Sequence, residues 1–394
     1  MRSAYIYELC TASIEYQVFT FFIFYFLSVP TVSSYFRYSL GMDPNKTPAL
    51  RPPPGVEPNF INPHTLQPGR IAVSSTSLAI CTIFVVARTY TRIQLNTFNI
   101  DDYVYLLSLV IFIVYTGLLI HVGKYGDGKH QWDVTIAELT KSLELQNILE
   151  ILYCLVMFPI KYVVLRQIEI IFFDHRRNTV TYKAIWTLIW TNFLFTFSVI
   201  LSFICTCIPR KKIWQPNVEG HCIDSKSLFL SACAINMVFD YLILVIPLAA
   251  VSTLHLSRGK KIRAAAVFIV GILSCASGTV RLYYTVKLFQ TEDRTWAFTP
   301  VGEWSSVEFT TLFIVACFPY LPRLYQLLRK RDKQTQTDSS RTRTTHPSRS
   351  ASFGVQTVTG WNELGDNVRN NDTILLNELS DSERSNELII MSNT

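Results

Sequence analysis

The run SLFLSACAINMVFDYLILVIPLAAV, from Ser227 to Val251, decides the fold of this chain. About 20 apolar residues span the hydrocarbon core of a bilayer, so this run is long enough to cross a membrane as a helix. Asp240 interrupts it one helical turn after Asn236, which places both side chains on one face of the helix. A charge at that depth is costly unless it pairs or faces water, so Asp240 needs a partner on another helix.

Six further apolar runs accompany this stretch and bring the number of predicted spanning helices to seven. They are Ile71 to Ala87, Tyr103 to Ile120, Glu144 to Phe173, Tyr182 to Thr206, Ala264 to Phe289 and Trp304 to Leu321. Only 16% of the 394 residues are charged, whereas an ordinary soluble chain has about a quarter. We therefore predict an all-α fold, a polytopic seven-transmembrane helix bundle over residues 70–323.

The two ends of the chain differ from the bundle in composition. Residues 42–69 are polar and proline-rich, which predicts an irregular extracellular segment that packs no core. Residues 324–394 begin with basic residues and then become rich in Ser and Thr, which predicts a disordered cytoplasmic tail. Residues 1–41 contain a short apolar run, and three interpretations stay open: a signal-peptide core, an extra helix, or an extension before a true start at Met42.

The distribution of basic residues predicts the orientation of the bundle. One set of connections holds Arg88, Arg92, Arg176, Arg177 and the basic residues of 258–263, and it is richer than the other set. The positive-inside rule places that set in the cytoplasm and the N-terminus outside. We expect a multi-pass protein of the plasma membrane with a cytoplasmic C-terminus. Contacts with the lipid bilayer explain the net charge of +7 better than nucleic acid does, because no nucleic-acid-binding motif is present.

The nine cysteines predict a disulfide rather than a metal site. No CxxC pair or Cys/His cluster has zinc spacing, so we predict no bound metal. The orientation places Cys207 and Cys222 outside, where a disulfide persists, and a bridge over about 15 residues contributes about 3 kcal/mol. Cys205 and Cys154 are competing partners, and free thiols are the remaining alternative.

Among the charged residues inside the predicted spans, four lie at depths that indicate two ion pairs. Lys161 lies past the middle of the third helix and Asp240 near the middle of the fifth, so we expect these two to pair. Arg281 and Glu308 lie in the outer parts of the sixth and seventh helices and form the second expected pair. The candidate ligand-binding or switch residues are therefore Lys161, Asn236, Asp240, Arg281 and Glu308. Pairs that only fix helix packing are an equal alternative.

Catalysis receives little support from the sequence. It has no HExxH or GxSxG motif and no paired intramembrane aspartates in a plausible dyad. The glycine-containing loop His121 to Trp132 lacks both a preceding strand and the GK[ST] ending of a phosphate loop. We therefore predict no catalytic residues, no nucleotide site and no enzyme activity.

In order and spacing, these residues resemble the fungal rhodopsin-domain integral membrane proteins, a family of receptor-like seven-helix proteins of filamentous fungi. The matching elements are Arg88-x-Tyr90-x-Arg92 followed by Asp101-Asp102, Gly126-x-Gly128-x-His130, Lys161, Cys207-x-Pro209, Trp214, Gly220-x-Cys222, Asn236-x-x-x-Asp240 with Pro247, Arg281, and Trp304-x-x-x-Glu308 with Cys317 and Pro319. The resemblance covers about Pro52 to Arg323, and proline-rich N-termini in the family favour the start at Met42. Val163, Ile168 and Ile170 replace the family's Ser/Thr and Tyr-x-Arg, so that activation motif is missing here.

The family name points to retinal, but the sequence does not. A retinal Schiff base needs a buried lysine in the seventh helix, and Trp304 to Leu321 contains none. We therefore predict no covalent chromophore and no other cofactor. The resemblance implies a receptor with an unknown extracellular ligand and a cytoplasmic signalling partner. The alternative is a transporter or channel whose polar path is lined by the four intramembrane charges.

Overall fold

Seven long helices make up most of the described structure. The computed structural model describes residues 43–173, 180–214, 218–253 and 258–329. The helices are α1 (Gln67–Gln94), α2 (Ile100–Val122), α3 (Ile136–Phe173), α4 (Val180–Ile204), α5 (Ser225–Thr253), α6 (Arg258–Leu288) and α7 (Arg294–Cys317). In these ranges all seven are long and apolar enough to cross a membrane, which confirms the predicted polytopic all-α fold.

Several predictions concern residues outside these ranges. They are the three alternatives for residues 1–41, the basic residues Arg176 and Arg177, and the tail from residue 330 onward. All of them stay predictions.

Polar helix ends lengthen α3 beyond the predicted apolar run. The helix begins at Ile136 rather than Glu144, because Thr135 and Glu138 form a reciprocal cap. The backbone N–H of Thr135 donates to Glu138 Oε2 at 3.0 Å, and the backbone N–H of Glu138 donates to Thr135 Oγ1 at 3.3 Å. Because hydropathy detects only the part of a helix that meets lipid, these first turns were not predicted.

The last helix is also longer than predicted. α7 begins at Arg294 rather than Trp304, passes a 3-10 turn at Phe318–Tyr320, and continues as helix to Arg329. These added turns change the depth of every side chain that was counted from the predicted helix ends.

α3 and α7 form the centre of the bundle. In the most apolar window of each, 61% and 56% of the residues are buried, against 28% in α1, α4 and α5. α7 packs on α1, α3 and α6, and α3 packs on α2 and α4. Aromatic side chains fill the space between α2 and α7, where the rings of Phe112 and Phe309 lie 5.2 Å apart. Polar groups on α3 and α7 are therefore shielded from lipid, which is where ionisable residues are tolerated.

The connections divide the bundle into two unlike ends. We call the end with residues 43–66, 123–135, 205–224 and 289–293 the loop-rich end, and the end with residues 95–99 the short-loop end. At the loop-rich end, β1 (Cys207–Ile208) pairs antiparallel with β2 (His221–Cys222), and a disulfide joins Cys207 to Cys222. Cys205 and Cys154, the alternative partners in the sequence, are free thiols.

Residues 43–66 are irregular, as expected, but they are tied to the loop 123–135. The backbone N–H of Ala49 donates to the Val134 carbonyl at 2.8 Å, and Ala49 is 1% exposed. The backbone N–H of Leu66 donates to the Gly128 carbonyl at 2.9 Å. The prediction that this segment packs no core is therefore wrong at Ala49, because a neighbouring loop covers it.

Candidate functional site

Lys161 of α3 is buried against α5. Its Nζ lies 2.8 Å from Asp240 Oδ1 and donates to Asn236 Oδ1 at 2.8 Å and to the Asn236 carbonyl oxygen at 3.1 Å. Asn236 and Asp240 present these acceptors together because they stand one turn apart on α5. The predicted pair of Lys161 and Asp240 is present, and each of the two side chains is 1% exposed.

Arg281 of α6 pairs with Glu308 of α7, which is the second predicted pair. Arg281 Nε donates to Glu308 Oε2 at 2.7 Å. The guanidinium also lies 4.5 Å from the centre of the Tyr153 ring, and its Nη1 lies 3.0 Å from Cys233 Sγ. The ion pair is thus packed between α3, α5, α6 and α7.

Asn236 joins the two ion pairs into one network. Its Nδ2 donates to Glu308 Oε1 at 2.8 Å and to the Tyr153 hydroxyl oxygen at 2.9 Å, while its oxygen atoms accept from Lys161. The Tyr153 hydroxyl donates in turn to Glu308 Oε2 at 3.2 Å. We call this set the charge network: Tyr153, Lys161, Cys233, Asn236, Asp240, Arg281 and Glu308.

The depths assigned from the sequence separated the two pairs, and that separation is wrong. Because α7 begins at Arg294, Glu308 lies about four turns inside its helix, as Asp240 does in α5. The predicted outer position of Glu308 followed from counting from Trp304.

Tyr153 and Cys233 were not singled out from the sequence. Tyr153 precedes Lys161 by two helical turns, and Cys233 precedes Asn236 by one turn, so helical spacing was the signal that could have found both.

The charge network does not satisfy every polar atom that it buries. Among the described residues, Asp240 Oδ2 and Arg281 Nη2 have no hydrogen-bond partner. Asp240 Oδ2 and Glu308 Oε1 also face one point on α6, where a Cβ on Gly278 would lie 3.4 and 3.5 Å from them. Leaving charged atoms buried without partners is energetically costly.

A pocket of about 150 Å³ lies between the helix ends at the loop-rich end. Four segments contribute its aromatic walls: Phe203, Phe229, Phe289 and Phe298. The disulfide of Cys207 and Cys222 lines it from the loop 205–224. An apolar cavity of this size accommodates a molecule such as benzene.

Glu150 stands between this pocket and the charge network. It lines the pocket and also a cavity of about 30 Å³ whose other linings include Tyr153, Asn236 and Arg281. A cavity of that size holds about one water molecule. Intervals of three or four residues on α3 place the relevant groups on one face of the helix, namely Asn147, Glu150, Cys154, Met157 and Lys161.

A second buried cluster lies at the short-loop end. Asp102 Oδ1 accepts from Arg88 Nη2 at 3.0 Å, and its Oδ2 accepts from Arg92 Nε at 2.9 Å. Both arginines of the motif Arg88-x-Tyr90-x-Arg92 therefore pair with the second aspartate of Asp101-Asp102. Asp101 instead accepts from Tyr162 of α3 at 3.3 Å and lies 3.8 Å from Nε of Arg166, also on α3.

The glycine motif of the loop 123–135 builds a turn. Gly126 and Gly128 have φ of 89° and 87°, a conformation that glycine adopts at no steric cost. Asp127, between them, is buried and lies 2.7 Å from Arg70 Nη1. Burial raises the pKa of the Asp127 carboxyl, and Arg70 opposes that rise. The turn thereby attaches the loop to α1.

His130, the last residue of that motif, attaches the same loop to α7. Its ring stacks between Trp132 and Trp296, with centroids 4.4 and 4.1 Å away. Its Nδ1 lies 2.6 Å from Asp293 Oδ2. The loop is therefore held on two sides, and it covers the helix ends beside the pocket.

Comparison with known proteins agrees with this arrangement. The family profile described as the fungal rhodopsin domain matches residues 87–327, which is more than half of the chain. The matched range contains the charge network, Glu150 and the disulfide.

Curated relatives come from three fungi. A SAT4 family membrane protein of Emericella nidulans is 34% identical over 212 residues, which are 54% of this chain and 53% of that protein. The chain therefore spans about half the length of this relative. Fugralins biosynthesis cluster protein 2 of Gibberella zeae is 26% identical over 294 residues, or 70% of each chain. Satratoxin biosynthesis SC1 cluster protein 4 of Stachybotrys chartarum is 26% identical over 123 residues, 31% of this chain and 44% of that protein.

Proposed function

The chain belongs to the fungal rhodopsin domain family, and on that premise we propose that it is a receptor-like membrane protein that senses an extracellular ligand. The ligand occupies the pocket at the loop-rich end, and the charge network changes its pairing in response. The short-loop end and the tail then pass the change to a cytoplasmic signalling protein. In this proposal the protein is not an enzyme.

The observation that carries this proposal is the continuous arrangement of pocket, Glu150, cavity and charge network along α3. Glu150 lines both the pocket and the cavity, and Arg281 lines the cavity and belongs to the network. A ligand that alters the surroundings of Glu150 therefore acts within about one water molecule of Arg281. Coupling between two sites needs such a contiguous element with two arrangements.

The atoms without partners supply the second arrangement. If Arg281 turns towards Glu150, its Nη2 gains an acceptor and Glu308 loses a cation. Asn236 then has to redistribute its hydrogen bonds between Glu308 and Lys161. A ligand shifts this equilibrium only as far as it binds one arrangement better than the other.

We also propose that the loop-rich end faces the outside of the plasma membrane and that the C-terminus is cytoplasmic. The disulfide at the loop-rich end supports this orientation, because disulfides persist in oxidising compartments. Arg323 and Arg329, exposed beyond the short-loop end, fit the excess of basic residues on the cytoplasmic side.

The test is a compound screen on intact cells that express the protein and report cAMP and calcium. The names of two relatives refer to biosynthesis clusters, so small organic molecules are a suitable first library. We expect at least one compound to change a messenger level only in expressing cells. Compounds that bind the purified protein but change neither messenger would contradict the receptor proposal.

A transporter or channel is the second candidate, and the polar groups along α3 favour it. The pocket, the cavity and the charge network lead from the loop-rich end to the middle of the bundle, as a solute path does. Beyond Lys161, however, Val164, Leu165 and Ile168 of α3 are buried apolar side chains. Solute flux into proteoliposomes that Glu308→Gln abolishes would replace the receptor proposal with this one.

A further inference from the structure

Glu150 is a polar side chain of the pocket that has no hydrogen-bond partner among the described residues. Its half-buried carboxylate forms no hydrogen bond or ion pair with another described residue. Carboxylates in apolar surroundings are costly unless a donor binds them. Arg281, which lines the small cavity together with Glu150, is already engaged by Glu308 at 2.7 Å.

Other polar side chains of the pocket already have partners. Asn147 Nδ2 donates to the Phe203 carbonyl oxygen at 3.2 Å. Lys212 Nζ donates to the Gly220 carbonyl oxygen at 2.6 Å. Glu150 therefore differs from these two neighbours in offering an acceptor that no other residue in the described ranges occupies.

We propose that the pocket binds a small monoamine with an apolar ring, whose ammonium group lies against Glu150. This inference rests on the proposed function, because it names the ligand class of the same site. An ammonium group donates charge-assisted hydrogen bonds to a carboxylate, and these are about twice as strong as neutral ones. The aromatic walls attract cations as well as apolar rings.

The volume of the pocket and the charges that line it restrict the class of ligand further. The volume of about 150 Å³ corresponds to one six-membered ring with a short substituent. Lys212 and Arg294 line the pocket from the loop side, so a second ammonium group on the ligand would be repelled. A ring acid with its carboxylate against Glu150 would be repelled, whereas one turned towards Lys212 and Arg294 would not, so stronger competition by benzoate than by benzylamine would also contradict the amine. A neutral ring compound would leave the Glu150 carboxylate unsatisfied.

The test uses the full chain in lipid nanodiscs and fluorine NMR of 4-fluorobenzylamine. Line broadening reports binding, and empty nanodiscs correct for partition into lipid. Three unlabelled competitors share one ring and differ in charge: benzylamine, benzyl alcohol and benzoate. We expect benzylamine to compete at concentrations about tenfold lower than the other two.

Variants on α3 assign the effect to Glu150. Glu150→Gln should weaken benzylamine binding about tenfold and leave benzyl alcohol unchanged, while Glu150→Asp should retain the preference for the amine. Glu144→Gln is the matched control, because Glu144 pairs with Lys141 on the same helix and does not line the pocket.

Three results would overturn the inference: no saturable binding of benzylamine up to about 10 mM, equal competition by benzyl alcohol, or unchanged amine binding in Glu150→Gln. Different results would overturn the proposed receptor function and the proposed ligand class. Amine binding without any messenger change in cells overturns the receptor proposal and leaves the ligand class standing. Messenger changes caused only by compounds without an amine overturn the ligand class and leave the receptor.

Discussion

Asn236 connects the two buried ion pairs of the charge network through one side chain. Its amide accepts from Lys161 and donates to Glu308, so one uncharged side chain stands between two ion pairs. An aspartate there would add a third carboxylate, and a leucine would leave Lys161 and Glu308 each short of a hydrogen bond. The network therefore depends on residue type as well as on charge.

Removing one member of a buried ion pair should destabilise the protein far more than removing an exposed one. Lys161→Met leaves the Asp240 carboxylate buried without its cation, and we expect a loss of about 3–5 kcal/mol in the free energy of unfolding. Adding Asp240→Asn removes the stranded charge and should recover part of that loss. Denaturant unfolding in detergent measures both changes.

The control for that experiment is Lys141→Met. Lys141 and Glu144 form an exposed pair, with 47% and 34% of their side chains accessible, so its loss should cost less than about 1 kcal/mol. Equal losses for Lys161→Met and Lys141→Met would show that the charge network contributes no more than a surface contact.

A residue larger than glycine at position 278 should not fit beside the carboxylates of Asp240 and Glu308. A valine there would push methyl groups beyond the Cβ position, which already lies 3.4 Å from Asp240 Oδ2 and 3.5 Å from Glu308 Oε1. We expect Gly278→Val to cost about 1–3 kcal/mol in thermal unfolding experiments. Gly117→Val, at a helix position with nothing within 4 Å, controls for the helix propensity of valine, and an equal loss there would refute the role of Gly278.

Residue type and approximate depth were sufficient to predict both ion pairs. Lys161 had to meet Asp240 because a buried charge needs an opposite charge nearby. The link through Asn236 to Glu308 could not be predicted, because it depends on the first turns of α7 and on how α5 and α7 face each other. Glu150 stands three turns before Lys161 on the same face of α3, so helical spacing did contain its position.

At the scale of elements, α3 organises the site because it passes every part of it. Its first turns line the pocket, its middle reaches the charge network, and its far end contacts the cluster around Asp102. The apolar run alone underestimated the length of this helix, which begins at Ile136 rather than at Glu144. The cap formed by Thr135 and Glu138 was visible in the sequence as a Thr-x-x-Glu pattern before the apolar run.

Asp102 should be more important than its neighbour Asp101 for holding helices together at the short-loop end. It receives both Arg88 and Arg92, and Arg88 also donates to the Ala316 carbonyl of α7 at 2.6 Å. Asp102→Asn leaves two buried arginines short of their anion, so we expect a loss of about 3–5 kcal/mol in the free energy of unfolding. Asp101→Asn affects only two longer contacts, with Tyr162 at 3.3 Å and with the half-buried Arg166 at 3.8 Å, and should cost less than half as much. The reverse order would contradict the role of Asp102.

At the scale of the whole molecule, the orientation can be tested with a natural cysteine. Cys205 is exposed at the loop-rich end, whereas the other free cysteines in the described ranges are buried. In a Cys10→Ser background, which removes the cysteine outside the described ranges, a membrane-impermeant maleimide added to intact cells should therefore label the protein, and Cys205→Ser should remove that label. Labelling at Cys205 only after the membrane is permeabilised would place the loop-rich end inside.

The number of spans and their alternation follow from apolar runs and were predictable. The packing of the loops at the loop-rich end was not, because it is built from contacts between segments that are distant in the sequence. His130 reaches Asp293, and Ala49 reaches Val134, across separations that no local pattern encodes. Family membership is shown at the level of the whole domain, while sensing is a proposal that rests on the pocket and the network.

Signalling through the charge network is tested most sharply in Asp240→Asn, where ligand binding and cellular response are measured separately. Compounds that bind the purified wild-type protein are applied to cells with matched surface levels of either form, and cAMP and calcium are recorded. We predict that Asp240→Asn still binds these compounds at the pocket, because Asp240 does not line it, but changes neither messenger. An Asp240→Asn response equal to that of the wild type would contradict the claim that the charge network carries the signal.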